Sequence, residues 1–465
     1  MSSSQQLAFD LASAAKTGRP FSPMPPVVKR SRSPYERFLA ERAKRSEVAD
    51  LGRHVGDEEM HPSLFPFQRE AVRWAARKGR AGLFADCGLG KSRMQLTWAS
   101  TVADRSLIVA PLSVARQTVR EAAAIDMDLR YVRSGEDAAG PGVWITNYEM
   151  VDRFDLSSFG AIVLDESSIL KHVDSRTRLA LSEAVRTVPL RLACTATPAP
   201  NDVTEIVNHA DFLGVMQRAA VLATYFVNVG DRDKADYGWR LKGHAHADFY
   251  RWMAGWAIPI RTPADLGFPD DGYRLPELTI TPEVVTTDAD PAELGGVTGR
   301  SAMRRRTLAA RVERALDVVN RHPDEQHIVW CGLNDEAKAV AAGLGDRAVN
   351  VEGSWSPDRK AEAFEAFQDG QIPVLVTKVS IAGFGMNFQQ SRRMVFCGIG
   401  DSWEAYFQAI RRQWRFGQQH PVDVRIVVSD AEQSIVDNVL RKERQAEQMI
   451  ADMVDASRRL REEGR

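Results

Sequence analysis

The segment with the clearest chemistry is 85–92, which reads ADCGLGKS and fits the pattern Ala/Gly-x4-Gly-Lys-Ser/Thr. Gly88 and Gly90 let backbone N–H groups converge on phosphate oxygens, at the start of a helical pattern whose dipole favours anions. Lys91 is placed to reach β- and γ-phosphates, and Ser92 to ligate Mg²⁺. The segment predicts binding of a nucleoside triphosphate, and a chance Gly-Lys-Ser turn is the simpler alternative.

A second segment of interest lies far downstream, at residues 408–418, and reads QAIRRQWRFGQ. Arg411, Arg412 and Arg415 could supply the positive charge that a triphosphate site needs beyond one lysine. The alternative is a basic amphipathic helix on the surface, because most charge clusters are solvated. Together with the phosphate loop, this stretch indicates two halves of one chain that close around a nucleotide.

Two acidic residues, Asp165 and Glu166, follow the apolar run AIVL, which is typical of a buried strand. An acid at the carboxyl end of a parallel strand points into the ligand crevice. Asp165 is placed to hold Mg²⁺, directly or through water, and Glu166 to orient or deprotonate an attacking water. An exposed turn is the alternative, which the upstream phosphate loop disfavours.

Three further polar residues are candidates on weaker grounds. The Gln68 amide can both donate to and accept from an adenine edge, which would favour ATP, but a solvated helix position is the alternative. Thr195 and Thr197, in CTATP, follow an apolar strand. Their hydroxyls could link the γ-phosphate site to the other half of the chain, but an ordinary strand-end turn explains them equally well.

Short apolar runs alternating with helical patterns must position these residues. Such alternation predicts βαβ units with parallel sheets, and therefore an α/β fold. The runs form two series on either side of an irregular stretch. The predicted strands are Ala81–Ala85, Leu107–Ala110, Val143–Thr146, Ala161–Leu164, Leu190–Thr195, Ile328–Cys331, Val374–Thr377, Met394–Cys397 and Val424–Val428.

The pattern predicts five parts of the chain. A polar, proline-rich arm, partly flexible, contains one helix near Tyr35–Ala49, and a second lobe opens with a helix at Arg304–Asn320. The tail has apolar residues at helical spacing and predicts a docked C-terminal helix. The boundaries are 1–60 for the arm, 61–214 for the first lobe, 215–299 for a short helical insertion and connector, 300–432 for the second lobe and 433–465 for the tail.

Composition bounds the classes of function. The chain has 465 residues and a net charge of −1, so more than one core is expected and any nucleic-acid site must be a local groove. No apolar run approaches the ~20 residues that span a bilayer, and the N-terminus does not read as a secretory signal. Four scattered cysteines indicate buried free thiols in a reducing cytoplasm.

The order of these segments resembles superfamily 2 helicases and translocases, nearest to the Swi/Snf-type branch. In particular, the chain is similar to compact helicases encoded by bacteriophages and prophages. The resemblance covers about Leu64 to Asp430 and is specific, because eight segments occur in order. They are FQ, ADCGLGKS, LIVAP, ITNYE, LDES, CTATP, SIAGFGMN and QAIRRQWRFGQ.

The resemblance implies two tandem RecA-like lobes with ATP between them and nucleic acid crossing both lobes on one face. It implies that Arg412 and Arg415 reach ATP across the cleft as arginine fingers. Gln408 matches a flanking glutamine of the same motif and is expected to contact ATP. Gly385, also expected at ATP, and Asn387, expected to couple the lobes, match the preceding glycine-rich motif together with Gly383. In the first lobe, the residues that match are Gln68, Lys91, Ser92, Asp165, Glu166, Thr195 and Thr197.

The chain departs from the family pattern at a few positions. Ser167 and Ser168 follow the acids, where DEAD or DEAH is usual, and Trp414 stands where the Swi/Snf type commonly has His. Ala382 replaces a frequent glycine. These changes leave the residues for ATP chemistry in place and put the coupling step and the partner in question.

The resemblance favours a DNA-stimulated ATPase that translocates on duplex DNA with Mg²⁺ and ATP, in the cytoplasm of a bacterial host. One alternative is a strand-separating DNA or RNA helicase, and single-stranded DNA or RNA are other possible partners. Another is a nucleotide-switched subunit that works with a phage or host DNA-processing protein. No membrane partner is expected.

Overall fold

The computed structural model of the chain describes residues 48–171, 181–230, 238–288, 302–382, 387–400 and 402–463. Nearly all of the predicted helix near Tyr35–Ala49 lies outside these ranges, as do Gly383 and Gly385.

The strands fall into two parallel sheets and one antiparallel pair. Central strands are buried along almost their whole length, which is why they read as continuous apolar runs in the sequence. The strands are β1 (Arg80–Ala85), β2 (Arg105–Ala110), β3 (Leu129–Tyr131), β4 (Gly142–Asn147), β5 (Ala161–Asp165), β6 (Leu190–Cys194), β7 (Phe226–Asn228), β8 (Trp239–Leu241), β9 (Ala257–Ile260), β10 (Leu278–Val285), β11 (His327–Cys331), β12 (Ala348–Asn350), β13 (Val374–Thr377), β14 (Arg393–Cys397) and β15 (Val422–Ser429).

Helices connect the strands and cover both sheets. The first one shows how the sequence sets their limits: Pro66 occupies its first position, and Gly79 ends it in the left-handed conformation with φ of 67°. The α-helices are α1 (Pro66–Lys78), α2 (Lys91–Val102), α3 (Leu112–Ala123), α4 (Ile206–Leu213), α5 (Arg218–Tyr225), α6 (His246–Ala254), α7 (Leu308–Asn320), α8 (Asn334–Leu344), α9 (Pro357–Gln368), α10 (Val379–Ala382), α11 (Trp403–Ile410) and α12 (Gln433–Glu462).

The first lobe is built on a seven-stranded sheet in the order β3-β4-β2-β5-β6-β1-β9, and the second on a six-stranded sheet in the order β10-β15-β14-β11-β13-β12. All neighbours in both sheets pair in parallel. The prediction of two tandem α/β lobes with parallel sheets is confirmed. Because carboxyl ends of parallel strands share one edge, β1, β5 and β6 bring the phosphate loop, the acids and the CTATP segment together.

The connector predicted at 215–299 differs from expectation, because it contributes strands to both lobes. β9 pairs with β1 in the first sheet, and β10 pairs with β15 in the second. Both are edge strands that contain a proline, Pro259 and Pro282. A proline inside a strand-like run argues against a strand in sequence reasoning, yet an edge position accepts it.

The C-terminal helix α12 contacts both lobes. Its first turns place Val436 and Val439 in the core of the second lobe. Further along, Met449 and Met453 enter a core of the first lobe. The predicted helix is thus present, and it braces the two lobes instead of docking on one. None of the described helices combines the length and apolarity needed to cross a membrane.

Candidate nucleotide site

The phosphate loop between β1 and α2 requires both of its inner glycines. φ is 88° at Gly88 and 78° at Gly90, in the region that L side chains rarely adopt. A Cβ atom on Gly90 would lie 2.3 Å from Gln68 Nε2, and one on Gly88 would lie 2.9 Å from Phe416 Cβ. The second contact crosses between lobes, so the loop is packed from both sides.

The lysine of this loop points back into the loop. Lys91 Nζ donates hydrogen bonds to the carbonyl oxygens of Ala85 at 2.8 Å and Asp86 at 3.4 Å. Ser92 follows it in the first turn of α2 and is half-buried. An ammonium group and a helix N-terminus therefore share one concave loop, which suits phosphate oxygens.

Gln68 contacts the phosphate loop directly. It is 2% exposed, its Nε2 donates to Leu89 O at 2.8 Å, and its Oε1 accepts from Phe65 N at 2.9 Å. Both amide atoms thus support the loop and the start of α1. The adenine contact suggested by the sequence stays a prediction, and support of the loop is a role that the sequence did not indicate.

The two acids lie at the end of β5, beside the loop. Asp165 is 4% exposed, and its Oδ2 accepts a hydrogen bond from Gln95 Nε2 at 2.7 Å. Burial raises the pKa of the Asp165 carboxyl, and the Gln95 bond and the charge of Lys91 counteract this. Sequence reasoning missed Gln95, although it lies four residues after Lys91, on the same face of α2.

Glu166 has an unusual backbone conformation and a raised pKa. Its φ of 49° places a non-glycine residue in the left-handed region, a costly conformation that is common at functional sites. Burial raises the pKa of Glu166 to about 7, with Asp165 adding to the effect and Lys91 and Arg412 opposing it. A carboxyl that titrates near neutral pH is suited to act as a general base.

The oxygen donors present fit a Mg²⁺ ion that arrives with a nucleotide. A hydroxyl on Ser92 and a buried, oriented carboxylate on Asp165 are hard ligands of the kind Mg²⁺ prefers. Within the described ranges, no group of three or more His, Cys, Asp or Glu residues could hold a metal. Mg²⁺ typically takes one or two protein oxygens plus substrate phosphates.

The arginines of 408–418 reach the phosphate loop from the second lobe. Arg411 Nη2 forms an ion pair with Asp86 Oδ2 and donates a hydrogen bond to Cys87 O at 3.4 Å. Arg412 and Arg415 also lie close enough to Cys87 to interact with it electrostatically. The predicted convergence of two distant segments on one loop is therefore observed, and Arg411 makes the direct contact.

The three arginines differ in how their charge is compensated. Burial lowers the pKa of Arg412 to about 10, and repulsion from Arg415 contributes. Burial also lowers the pKa of Arg415. Burial acts the same way on Arg411, but its partner Asp86 outweighs it and the pKa is raised. Asp86 thus compensates the charge of Arg411, whereas burial is the main influence on the pKa of Arg412 and Arg415. Gln408 Oε1 accepts a hydrogen bond from Arg412 Nη2 at 3.2 Å.

Glu404 joins the lobes on the other side of the acids. It forms an ion pair with Lys171, and its Oε1 accepts a hydrogen bond from Thr197 Oγ1 at 3.4 Å. Thr195 is fully buried, and its Oγ1 accepts from Thr197 N at 3.1 Å. The CTATP segment therefore touches the second lobe through Thr197. Glu404 carried no motif signal in the sequence.

The glycine-rich motif and the arginine motif are tied together by their backbones. Phe388 N donates to Arg412 O at 2.8 Å. Gln418 Nε2 donates to Gln389 O at 2.8 Å, and Asn387 Oδ1 accepts from Gln389 N at 3.3 Å. A shift at residues 387–389 would therefore move the arginine segment as well.

Four aromatic rings from three parts of the chain gather beside the loop. Tyr273 of the connector stacks on Phe416 with ring centres 4.7 Å apart, and it meets Phe65 and Phe67 edge-on at 6.3 and 5.3 Å. Phe416 is 40% exposed and Phe65 47%. Exposed rings next to a phosphate loop offer a surface on which a nucleobase can stack.

Comparisons with known proteins agree with the motif order. Residues 310–417 match the family Helicase_C, the helicase conserved C-terminal domain. The SWI/SNF-related matrix-associated actin-dependent regulator of chromatin subfamily A-like protein 1 of Xenopus laevis is 22% identical over 426 residues, which are 83% of this chain and 43% of that protein. The Xenopus tropicalis protein of the same name gives 22% over 427 residues, 83% of this chain and 44% of that protein. The chain thus spans less than half the length of these curated relatives.

Two further similarities are more limited. The bifunctional helicase and thymine dioxygenase JBP2 of Leishmania braziliensis is 30% identical over 112 residues, 23% of this chain and 10% of that protein. The Sulfolobus solfataricus SWI2/SNF2 ATPase core in complex with dsDNA aligns with a TM-score of 0.41 and 16% identity, over 85% of this chain and 98% of that chain. The sequence matches therefore show similarity to the helicase conserved C-terminal domain and to proteins named as SWI/SNF-related.

Proposed function

We propose that this chain hydrolyses ATP between its two lobes and uses the reaction to move along duplex DNA. The observation that carries the proposal is the convergence of Arg411, Arg412 and Arg415 on the phosphate loop. Lys91, Asp165 and Glu166 belong to the first lobe, and Glu166 lies within electrostatic reach of Arg412. Cations and acids brought together in this way suit phosphoryl transfer to water.

Each group has a distinct part in this proposal. The loop amides and Lys91 hold the phosphates, and Glu166 accepts a proton from the attacking water. Arg412 and Arg415 neutralise the negative charge that develops on the transferred phosphoryl group. Ser92 and Asp165 would hold Mg²⁺, which would supply neutralisation of phosphate charge. Gln408 and Gly385 complete the ATP contacts in the second lobe.

Movement along DNA requires that the two lobes change their relative position during the ATPase cycle. Contacts that such a change would disturb are present on both sides of the site: Glu404 with Lys171 and Thr197, and Arg411 with Asp86. Asn387, hydrogen-bonded to Gln389 beside the Arg412 backbone contact, is positioned to relay the change. A different grip on the DNA backbone in the two states would produce stepping.

Duplex DNA is the proposed track because the chain is similar to proteins named as chromatin regulators. With a net charge of −1, binding depends on local contacts to phosphates, with little sequence preference and a strong dependence on salt. We place the protein in the cytoplasm of a bacterial host, as one of the compact helicases of the phage kind.

The direct test is the ATPase rate with duplex DNA, single-stranded DNA and RNA of equal length. We expect duplex DNA to activate most, and Lys91→Ala to lose activity with every activator because the phosphates lose their main cation. Activation should fall steeply between low and moderate salt. An ATPase rate that duplex DNA leaves unchanged would refute the translocase. If RNA were the best activator, RNA would replace duplex DNA as the proposed track.

A strand-separating helicase is the second candidate, and one element favours it. The antiparallel pair β7–β8 leaves Val227 39% exposed, and Val229 follows at 49%. Exposed apolar side chains on such a ribbon could enter between bases, as apolar wedges do elsewhere. Displacement of tailed duplexes, lost in Val227→Asp but with ATPase activity kept, would establish this activity.

A nucleotide-switched subunit of a DNA-processing complex is the remaining alternative. It would need ATP binding but no turnover. If Glu166→Gln abolished hydrolysis and left DNA-complex assembly with a phage or host partner intact, the switch would replace the motor as the better account.

The aromatic cluster leads to a prediction about the base of the nucleotide. Phe416→Ala and Tyr273→Ala should each raise the KM for ATP about fivefold, because a stacked ring contributes on the order of 1 kcal/mol beyond its buried area. Inorganic tripolyphosphate has no base and should inhibit the variants and the wild type equally. If the variants lost as much affinity for tripolyphosphate as for ATP, the rings would act only by supporting the loop.

A further inference from the structure

We propose that Arg411 is a positioning residue that holds the phosphate loop in register with the second lobe, through Asp86. The inference rests on the proposed function for its effect on ATP. The contact itself joins a buried arginine of the second lobe to the first residues of the loop of the first lobe.

The arginine is fixed before it reaches the loop. Arg411 is 3% exposed, and its guanidinium lies 4.8 Å from the Trp414 ring centre and 5.7 Å from that of Phe407. Trp414 Nε1 donates in turn to Pro276 O of the connector at 2.7 Å. A cation held against two rings and tied to the connector has little freedom, so its position follows the second lobe.

The loop end of the contact is equally specific. Asp86 Oδ1 accepts a hydrogen bond from Cys87 N at 2.6 Å, and its Oδ2 pairs with Arg411. Asp86 N donates to Ile260 O of β9 at 2.8 Å. The Asp86 side chain therefore stands between its own loop backbone and the arginine. Movement of the second lobe is passed to the first residues of the phosphate loop.

The role differs from that of the neighbouring arginines. The charge of Arg411 is already matched by Asp86. For Arg412 and Arg415, burial is the main influence and lowers the pKa, with a smaller contribution from Arg415 to Arg412 and from Arg411 to Arg415. A matched cation contributes little to a developing phosphoryl charge, but it can set the shape of the loop that binds the phosphates. Arg411 should therefore affect ATP binding more than the chemical step.

The chain carries its own reporter of the contact. Cys87 is half-buried in the loop, whereas Cys194, Cys331 and Cys397 are buried. In the full chain without nucleotide, Arg411→Ala and Asp86→Asn should each raise the rate at which a thiol reagent labels Cys87, by about tenfold, as expected for loss of one charge-assisted contact. Cys87→Ala identifies the labelled site.

The pair of variants separates movement of the loop from a change of charge. A nearby cation favours a thiolate and a nearby anion disfavours it, so charge effects alone would change labelling in opposite directions. Opposite changes would overturn the proposal. Parallel increases, with a double variant no faster than either single one, would support it. Because Asp86 keeps 27% of its side-chain surface exposed, Asp86→Asn should preserve the fold even if Arg411→Ala does not.

A matched control and a kinetic readout complete the test. Arg359 stacks on Trp355 at 3.6 Å on the second lobe and is exposed, so Arg359→Ala should leave labelling unchanged. Arg411→Ala should raise the KM for ATP about tenfold with little change in kcat. A fall in kcat of about 10³, as for an arginine finger, would show that Arg411 acts on the phosphates and would overturn its assignment. A wild type without ATPase activity would refute the proposed function and leave the labelling result intact.

Discussion

Arg412→Ala is expected to lower the kcat for ATP hydrolysis by about 10³-fold or more, with a much smaller change in KM. The Arg412 guanidinium is buried beside Arg415, and burial lowers its pKa to about 10. Negative charge that develops on the transferred phosphoryl group would attract this guanidinium, so the interaction is stronger in the transition state than in the ground state. Steady-state rates at saturating ATP and DNA measure the loss.

Substitutions nearby make this prediction specific. Arg415→Ala should also lower kcat, and the double variant should lose less than the product of the two single losses, because the arginines act on one charge. Arg412→Lys keeps the charge but not the planar fork, so it should recover only part of the rate. If Arg412→Ala changed KM and kept kcat, the arginine would be a binding residue and not a finger.

The central strands of both lobes could be predicted from the sequence, whereas the four edge strands, β3, β9, β10 and β12, could not. β1, β5 and β11 are buried on both faces and therefore read as apolar runs bounded by polar turns. β9 and β10 lie at sheet edges, and each contains a proline. Their pairing depends on neighbours distant in sequence, so a local pattern does not reveal it.

Some residues of the site could likewise be predicted from local sequence, whereas others depend on contacts between residues that are distant in sequence. Gly88, Gly90 and Lys91 form a motif whose spacing alone carries its chemistry, and the structure gives both glycines the required positive φ. Glu404 meets Thr197 across 207 residues, and Arg411 meets Cys87 across 324. Nothing in the local sequence distinguishes Glu404 from other charged residues on a helix, and the arginine cluster alone does not show that Arg411 is the one that contacts the loop. Only the fold, by setting the lobes face to face, selects them.

Glu166→Gln is expected to lower kcat by about 10²–10⁴-fold while ATP still binds, because the amide keeps the shape of the side chain but cannot accept the proton. In the wild type, kcat/KM should rise with pH through about 7, as the carboxyl ionises. Tight ATP binding without turnover, measured by equilibrium binding and single-turnover rates, would support the assignment. Turnover near the wild-type rate would exclude Glu166 as the base.

The same substitution should change stability in a direction set by the pKa. Burial raises the pKa of Glu166 from 4.5 to about 7, so the folded state holds its proton more tightly than the unfolded state. Stability of the wild type should therefore decline as pH rises between those two values, and the Gln variant lacks this contribution. The difference in Tm between Glu166→Gln and the wild type should grow in favour of the variant from pH 5 to pH 8.

The backbone of Glu166 leads to a second effect on stability. Glu166→Gly should be more stable still than Glu166→Gln, because φ of 49° suits glycine. A wild type as stable as both variants at pH 8 would mean that Glu166 is not held under strain for catalysis.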